Sequence, residues 1–147
     1  MSITDKEYQA RIDALRGVMS RENVDLTVVF SNLLDPSAVR YYTNFSAVNE
    51  SAALIVPREG EVTVCSGQAS SDYCRIMNRL EGSVIRYFPE IGEVSGFEYD
   101  FEGQLDFRDY FRTLKSKYKI SKIGLIGKLI FPAIIYKIGR ASCRERV

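Results

Sequence analysis

Three cysteines, a run of alternating acids and aromatics, and a glycine–lysine turn are the features of this chain whose residue types could do chemistry. Cys65, Cys74 and Cys143 form no CxxC pair and show no framework spacing. An odd, sparse count of this kind fits a reducing cytoplasm. Cys65 and Cys74 read as small buried apolar side chains rather than a redox pair. Glu98, Asp100 and Glu102 alternate with Tyr99 and Phe101, which on a strand would put three carboxylates on one face. Such a face offers oxygen ligands to a hard cation such as calcium. With no glycine-centred calcium loop around it, it reads as a solvated edge. The turn Gly124-Leu125-Ile126-Gly127-Lys128 resembles a phosphate cradle, but a P-loop needs Gly at 122 and Ser or Thr at 129. Those positions hold Lys122 and Leu129. No GxGxxG follows a predicted strand, so a dinucleotide site has no support.

The chain contains no histidine. Ser-His-Asp and Cys-His catalysis are thereby excluded within it, and so is any metal site that relies on imidazole. We expect no catalytic residue, no metal ligand set and no cofactor in this chain.

Charge points the same way. The last ten residues, IGRASCRERV, break abruptly from the apolar run at 129–136 and read like a translated sequencing adapter. We expect two parts, a domain at 1–137 and an artefactual tail at 138–147, with such scars set aside in fold reasoning. The tail carries three Arg and one Glu. Taking these from 20 basic and 19 acidic side chains leaves 17 against 18, a net of −1. Nucleic-acid binding, which needs a clustered positive surface, then has no basis. The lysines at 115, 117, 119 and 122 gather near a predicted helix C-terminus, where they complement the helix dipole and need no ligand. The apolar runs at 26–30, 52–56 and 129–136 fall short of the ~20 residues of a membrane span. The first four residues hold no apolar signal core. A cytoplasmic location is expected.

The elements that would position any site are legible from periodicity. Thr4-x-x-Glu7 is a capping box, and Tyr8, Ile12, Leu15, Val18 and Met19 behind it recur at helical spacing over 5–22. Asn23 ends that helix, and 26–30 follows as a wholly apolar strand, which implies a sheet covered on both faces. Asp35-Pro36 starts a second helix, with Ala38, Val39 and Tyr42 inward. Residues 52–56 and 61–65 form a hairpin across Pro57-Arg58-Glu59-Gly60. A helix over 69–80 turns Tyr73, Ile76, Met77 and Leu80 inward and gives way at Gly82 to a strand at 84–88. Residues 91–102 are turn-rich. A helix over 105–118 carries a stripe of Leu105, Tyr110 or Phe111, Leu114 and Tyr118. A strand at 122–127 and a helix from 129 to 137 complete the order. The fold class is α/β: a single three-layer domain with a mixed, mostly parallel sheet and helices on both faces.

In order and local sequence the chain resembles the amino-terminal domain of the creatinase/aminopeptidase P/prolidase family. The resemblance rests on Arg11-Ile12-Asp13-Ala14-Leu15 in the first helix and Asn23-Val24-Asp25 leading into the buried strand. It continues through Arg40-Tyr41-Tyr42-Thr43-Asn44-Phe45, the hairpin 53–64, and Lys122-Ile123-Gly124-Leu125-Ile126-Gly127. Where the family usually has Gly after Thr, this chain has Asn44, the next most tolerant residue if the position needs positive φ.

The resemblance implies a parent enzyme whose separate carboxy-terminal domain, missing here, holds two divalent metals (Mn, Zn or Co) through two Asp, one His and two Glu. Those metals would activate a water against an amide-type bond. The present chain would be the non-catalytic domain that makes the contacts of a homodimer and lends a wall to a neighbouring subunit's site. Tyr42, Phe45 and Asn49, in the tyrosine-rich segment and the loop 45–51 after it, are the implied gating residues. Tyr41, Tyr42 and Phe45 are equally consistent with core aromatics. The alternative functions are a stand-alone α/β binding or interaction module without catalysis, and an unrelated small nucleotide-binding α/β protein with a parallel Rossmann order.

Overall fold

The structure is a computed structural model that describes residues 3–92 and 105–127. The expected terminal helix at 129–137, the tail at 138–147, Cys143 and the acidic run 98–102 lie outside the described residues.

The elements come in the order α1 (Asp5–Arg21), β1 (Leu26–Ser31), α2 (Ser37–Thr43), β2 (Ala52–Pro57), β3 (Thr63–Ser66), α3 (Ser71–Met77), β4 (Val84–Tyr87), a single 3-10 turn at Pro89–Ile91, α4 (Phe107–Tyr118) and β5 (Ile123–Ile126). The five strands form one sheet in the order β4-β3-β2-β1-β5. β1 pairs parallel with β5 and β3 parallel with β4, while β2 is antiparallel to both β1 and β3. Four strands therefore share one direction and β2 alone is reversed, a mixed and mostly parallel sheet.

Both faces are covered, which is why β1, β2 and β3 are buried at every residue. On one face Tyr8, Ile12, Leu15 and Met19 of α1, Val39 of α2 and Cys74 of α3 pack on Val29, Leu54, Val56 and Val64. On the other, Phe107, Phe111 and Leu114 of α4 pack on Leu26, Val28, Phe30, Ala53, Ile55 and Cys65. Alternate residues of β1 thus enter opposite cores, as the two-residue period of a strand requires. Phe88 and Phe107 stack with ring centroids 4.0 Å apart and planes 6° from parallel, joining the end of β4 to the start of α4.

Several local expectations are corrected. Thr4 makes no side-chain cap, and Glu7 pairs with Arg11 one turn on instead of reaching back. Val18 is exposed, so the stripe of α1 is Tyr8, Ile12, Leu15 and Met19. α3 is shorter than 69–80, and half of the expected stripe faces inward: Met77 packs on the α1-side core and Leu80, beyond the helix, is buried, whereas Tyr73 and Ile76 are exposed and Ser71 and Cys74 are buried in their place. A seven-residue helix has too few turns for a stripe count to fix its face. α2 starts one residue later than the Asp35-Pro36 signal, with Asp35 accepting from the Ser37 amide.

Left-handed residues follow α1, α2 and α4. Asn23 has φ 54° after α1, Asn44 has φ 66° as the C-cap of α2, and Lys119 has φ 49° after α4. Position 44 does require positive φ, and Asn is among the few side chains that tolerate it. α4 begins on Asp106, whose side chain accepts from the amides of Arg108 and Asp109, satisfying two of the donors a helix start leaves open.

Candidate functional site

In an open α/β sheet the carboxyl ends of parallel strands carry the loops that can converge on a ligand. Here the loops leaving β1, β3 and β4 meet at that end, joined by the segment that enters β2. Between them lies an open depression of about 300 Å³, rimmed by Asn32, Leu33, Leu34, Asn49, Ser51 and Gly92. Its shape is held by short-range chemistry. The Asn32 side chain accepts from the amides of Leu34 and Asp35 at 2.9 and 3.0 Å, fixing the turn after β1. The Ser51 amide donates to the Ile91 carbonyl at 3.1 Å, tying the entry of β2 to the turn after β4.

The floor is Glu50, only 5% exposed. Its two carboxylate oxygens accept from consecutive amides, Ala69 at 3.1 Å and Ser70 at 2.9 Å, on the loop that leads into α3. Gly67 is required beside it: a methyl group there would lie 2.5–2.7 Å from the carboxylate. A buried carboxylate is tolerated only when it is hydrogen-bonded, and here one backbone amide donates to each oxygen. Glu50 was absent from the sequence-based candidates. Its signal, a single acid between Asn49 and Ser51, matches no motif, and only the tertiary arrangement brings residues 67–70 to it.

The expected gating residues do not gather on one surface. Phe45 is fully buried in the α1-side core, beside Tyr73 at 6.3 Å between ring centroids. Its backbone amide donates to the Thr43 hydroxyl at 3.0 Å. Tyr42 is half-buried against the same core and meets Tyr41 edge-on at 5.0 Å. Burial, with Tyr41 adding to it, pushes the Tyr42 phenol above its ordinary pKa. Tyr41 is about half exposed under the Arg11 guanidinium, 4.2 Å above its ring. Asn49 is exposed and belongs to the depression's rim.

Chemically the depression offers amides, a hydroxyl and two exposed leucines, Leu33 and Leu34. It can orient a polar group and shelter an apolar one; it holds no nucleophile beside a base. Among the described residues no three His, Cys, Asp or Glu side chains come together to hold a metal ion. Cys65 and Cys74 are buried and free. Burial pushes the Cys74 thiol up to about 12 and Cys65 well above its ordinary value, so neither is a thiolate at neutral pH. No described helix is long and apolar enough to cross a membrane.

A second carboxylate site lies at the opposite end of the sheet. Asp25, just before β1, accepts from the amides of Ser121 and Lys122, both at 2.9 Å, and from the Ser121 hydroxyl at 2.8 Å. Arg58 pairs with its other oxygen and donates through Nε to the Val24 carbonyl. Burial raises the Asp25 pKa, but these hydrogen bonds and Arg58 outweigh it and bring the carboxyl down to about 2. Lys122 Nζ donates to the Glu22 carbonyl at 2.7 Å. That lysine therefore braces the end of α1.

No protein-family model matches this sequence, and no curated protein matches it. Solved structures match in fold. An X-Pro aminopeptidase from Thermotoga maritima MSB8 superposes with a TM-score of 0.60 at 13% identity, over 88% of this chain and 30% of its own. The N-terminal domain of cytoplasmic peptidase PepQ from Mycobacterium tuberculosis H37Rv gives 0.59 at 14% identity, over 90% of this chain and 84% of its own. Prolidase from Pyrococcus furiosus gives 0.57 at 14% identity, over 89% and 32%. The chain spans about a third of the length of the aminopeptidase and the prolidase. Its single α/β domain has the fold of the PepQ N-terminal domain.

Proposed function

We propose that this chain is the non-catalytic amino-terminal domain of an Xaa-Pro peptidase or creatinase-type amidohydrolase. In this reading it serves subunit assembly and substrate gating, and a carboxy-terminal domain supplies the chemistry. The observation that carries the reading is the fold match, which takes in nearly all of this chain and the bulk of a separately solved N-terminal domain. The lack of histidine is consistent with that division of labour. In the intact protein, a homodimer in the cytoplasm, two divalent metal ions in the missing domain would activate water. Asn49 on the rim would contact the neighbouring site, with Tyr42 half-buried beside the core and Phe45 supporting the loop 45–51 from beneath.

Reading the source gene in frame beyond residue 137 tests the proposal. Metal-ligating Asp, His and Glu residues are expected downstream; a stop codon there in the natural gene overturns the parent-enzyme claim in favour of a stand-alone module. The purified chain is expected to show no turnover of Xaa-Pro dipeptides with or without manganese. Metal-dependent hydrolysis by it overturns the non-catalytic assignment.

A further inference from the structure

Glu50 carries a full charge into a place that holds nothing of opposite sign. It is 5% exposed, and each of its oxygens accepts from one amide, that of Ala69 or Ser70. Amides satisfy hydrogen bonding but leave the charge standing, and a buried charge is ordinarily matched by a counter-charge. None of the four ion pairs among the described residues includes Glu50. Asp25, at the other end of the sheet, has Arg58. The sequence that follows the rim residue Gly92 adds no cation either. Residues 93–104 include Glu93, Glu98, Asp100 and Glu102 but no lysine or arginine.

That charge lies close under the open depression. A methyl group added to Gly92 on the rim would stand 3.4 Å from Glu50 Oε1. The carboxylate is thus near the rim with no side chain of residue 92 interposed. Asn49 and Ser51, its neighbours in the chain, also line the depression, and among the described residues neither side chain makes a hydrogen bond. Leu33 and Leu34, on the same rim, are 60% and 87% exposed. We propose that the depression binds a primary ammonium group carried on a short aliphatic stem. The Asn49 side-chain carbonyl and the Ser51 hydroxyl accept its N–H groups, Leu33 and Leu34 pack on the stem, and the Glu50 charge beneath selects a cation over a neutral group. A metal ion suits the place less well: a hard cation takes six or more oxygens, and no three acidic, cysteine or histidine side chains come together among the described residues. An ammonium has only three donors to satisfy. Binding of this kind requires only this chain's depression, so its failure would leave the proposed function standing.

A free aliphatic amine and the lysine side chain of a peptide share this chemistry. Titrations of the full chain in low-salt buffer, followed by NMR shifts of the Ser51, Ala69, Ser70 and Gly92 amides, test for both. The probes are n-butylammonium, its neutral counterpart n-butanol, and the end-blocked tripeptide Ala-Lys-Ala. The ammonium is expected to bind on the order of tenfold more tightly than the alcohol. Glu50→Gln, which keeps the side chain's size, is expected to erase that difference by weakening the ammonium alone. Equal binding of the two probes to the parent chain overturns the proposal. So does an ammonium affinity that Glu50→Gln leaves unchanged, or shifts confined to amides beside exposed acids such as Glu22 and Glu59. If Glu50→Gln does not fold, the comparison of ammonium with alcohol on the parent chain decides alone, with the same overturning result. The tripeptide binding more tightly than n-butylammonium supports the proposal with a protein partner's lysine as the ligand, and the reverse order supports it with a free amine.

Discussion

The two ends of the sheet solve one problem with different consequences. Each places a carboxylate among backbone amides where three chain segments meet. At the start of β1, Asp25 binds the segment that enters β5 and the arginine that follows β2. At the far end, Glu50 binds the loop after β3 and sits beneath the loops after β1 and β4. Asp25 accepts four hydrogen bonds that fasten neighbouring segments, and the open depression beside it is lined in part by Arg58, already paired with it. Glu50 accepts only two, one at each oxygen, and its neighbours Asn49 and Ser51 lie on the rim. A buried carboxylate can therefore be the fastening of a site without being its chemistry, and the exposed residue next to it is where recognition would reside.

The largest effect should come from removing the floor of the depression. Glu50→Ala leaves the amides of exposed Ala69 and buried Ser70 without their partner, which costs about 2 kcal/mol; a urea denaturation midpoint compared with the parent chain checks it. A loss no greater than that of a surface substitution would show that water replaces the carboxylate and that this end is not fastened as described.

Asp25→Asn should cost about 2 kcal/mol at neutral pH, because it removes the charge while keeping the shape. The pH dependence sharpens the point. The Asp25 carboxyl is held at about 2 in the fold against an ordinary 3.8. A depressed pKa contributes stability that is present above the unfolded value and lost as pH falls through the folded one. The parent chain should therefore lose about 2 kcal/mol between roughly pH 5 and pH 2 that Asp25→Asn does not lose. Parallel acid titrations of the two, followed by denaturation midpoint, measure the difference.

The smallest effect belongs to the rim. Asn49→Ala should change stability by less than about 0.5 kcal/mol, as for other surface substitutions. If the proposed function holds and Asn49 gates substrate, the same change in the intact protein should raise KM. A large stability loss would instead make Asn49 part of the fastening, and the contrast between floor and rim would disappear.

Much of the fold was legible because the signals were local. The hairpin turn at Gly60 depends on neighbours within a few residues, and so does the left-handed role of Asn44. The apolar runs at 26–30 and 52–56 announced strands buried on both faces. Facing was less legible. Phe45 sits in an aromatic-rich segment that suits either a wall or a core, and its full burial is decided by α3 folding over it.

By itself, then, the amino-acid order determined that this is a histidine-free α/β chain with helices on both faces of a sheet, since composition and periodicity need no partner to be read. Only the tertiary structure decided that Glu50 and Asp25 are the fastenings at the two ends. Their partners lie about 20 and nearly 100 residues away along the chain, and no local pattern encodes a hydrogen bond that exists only once the sheet has closed.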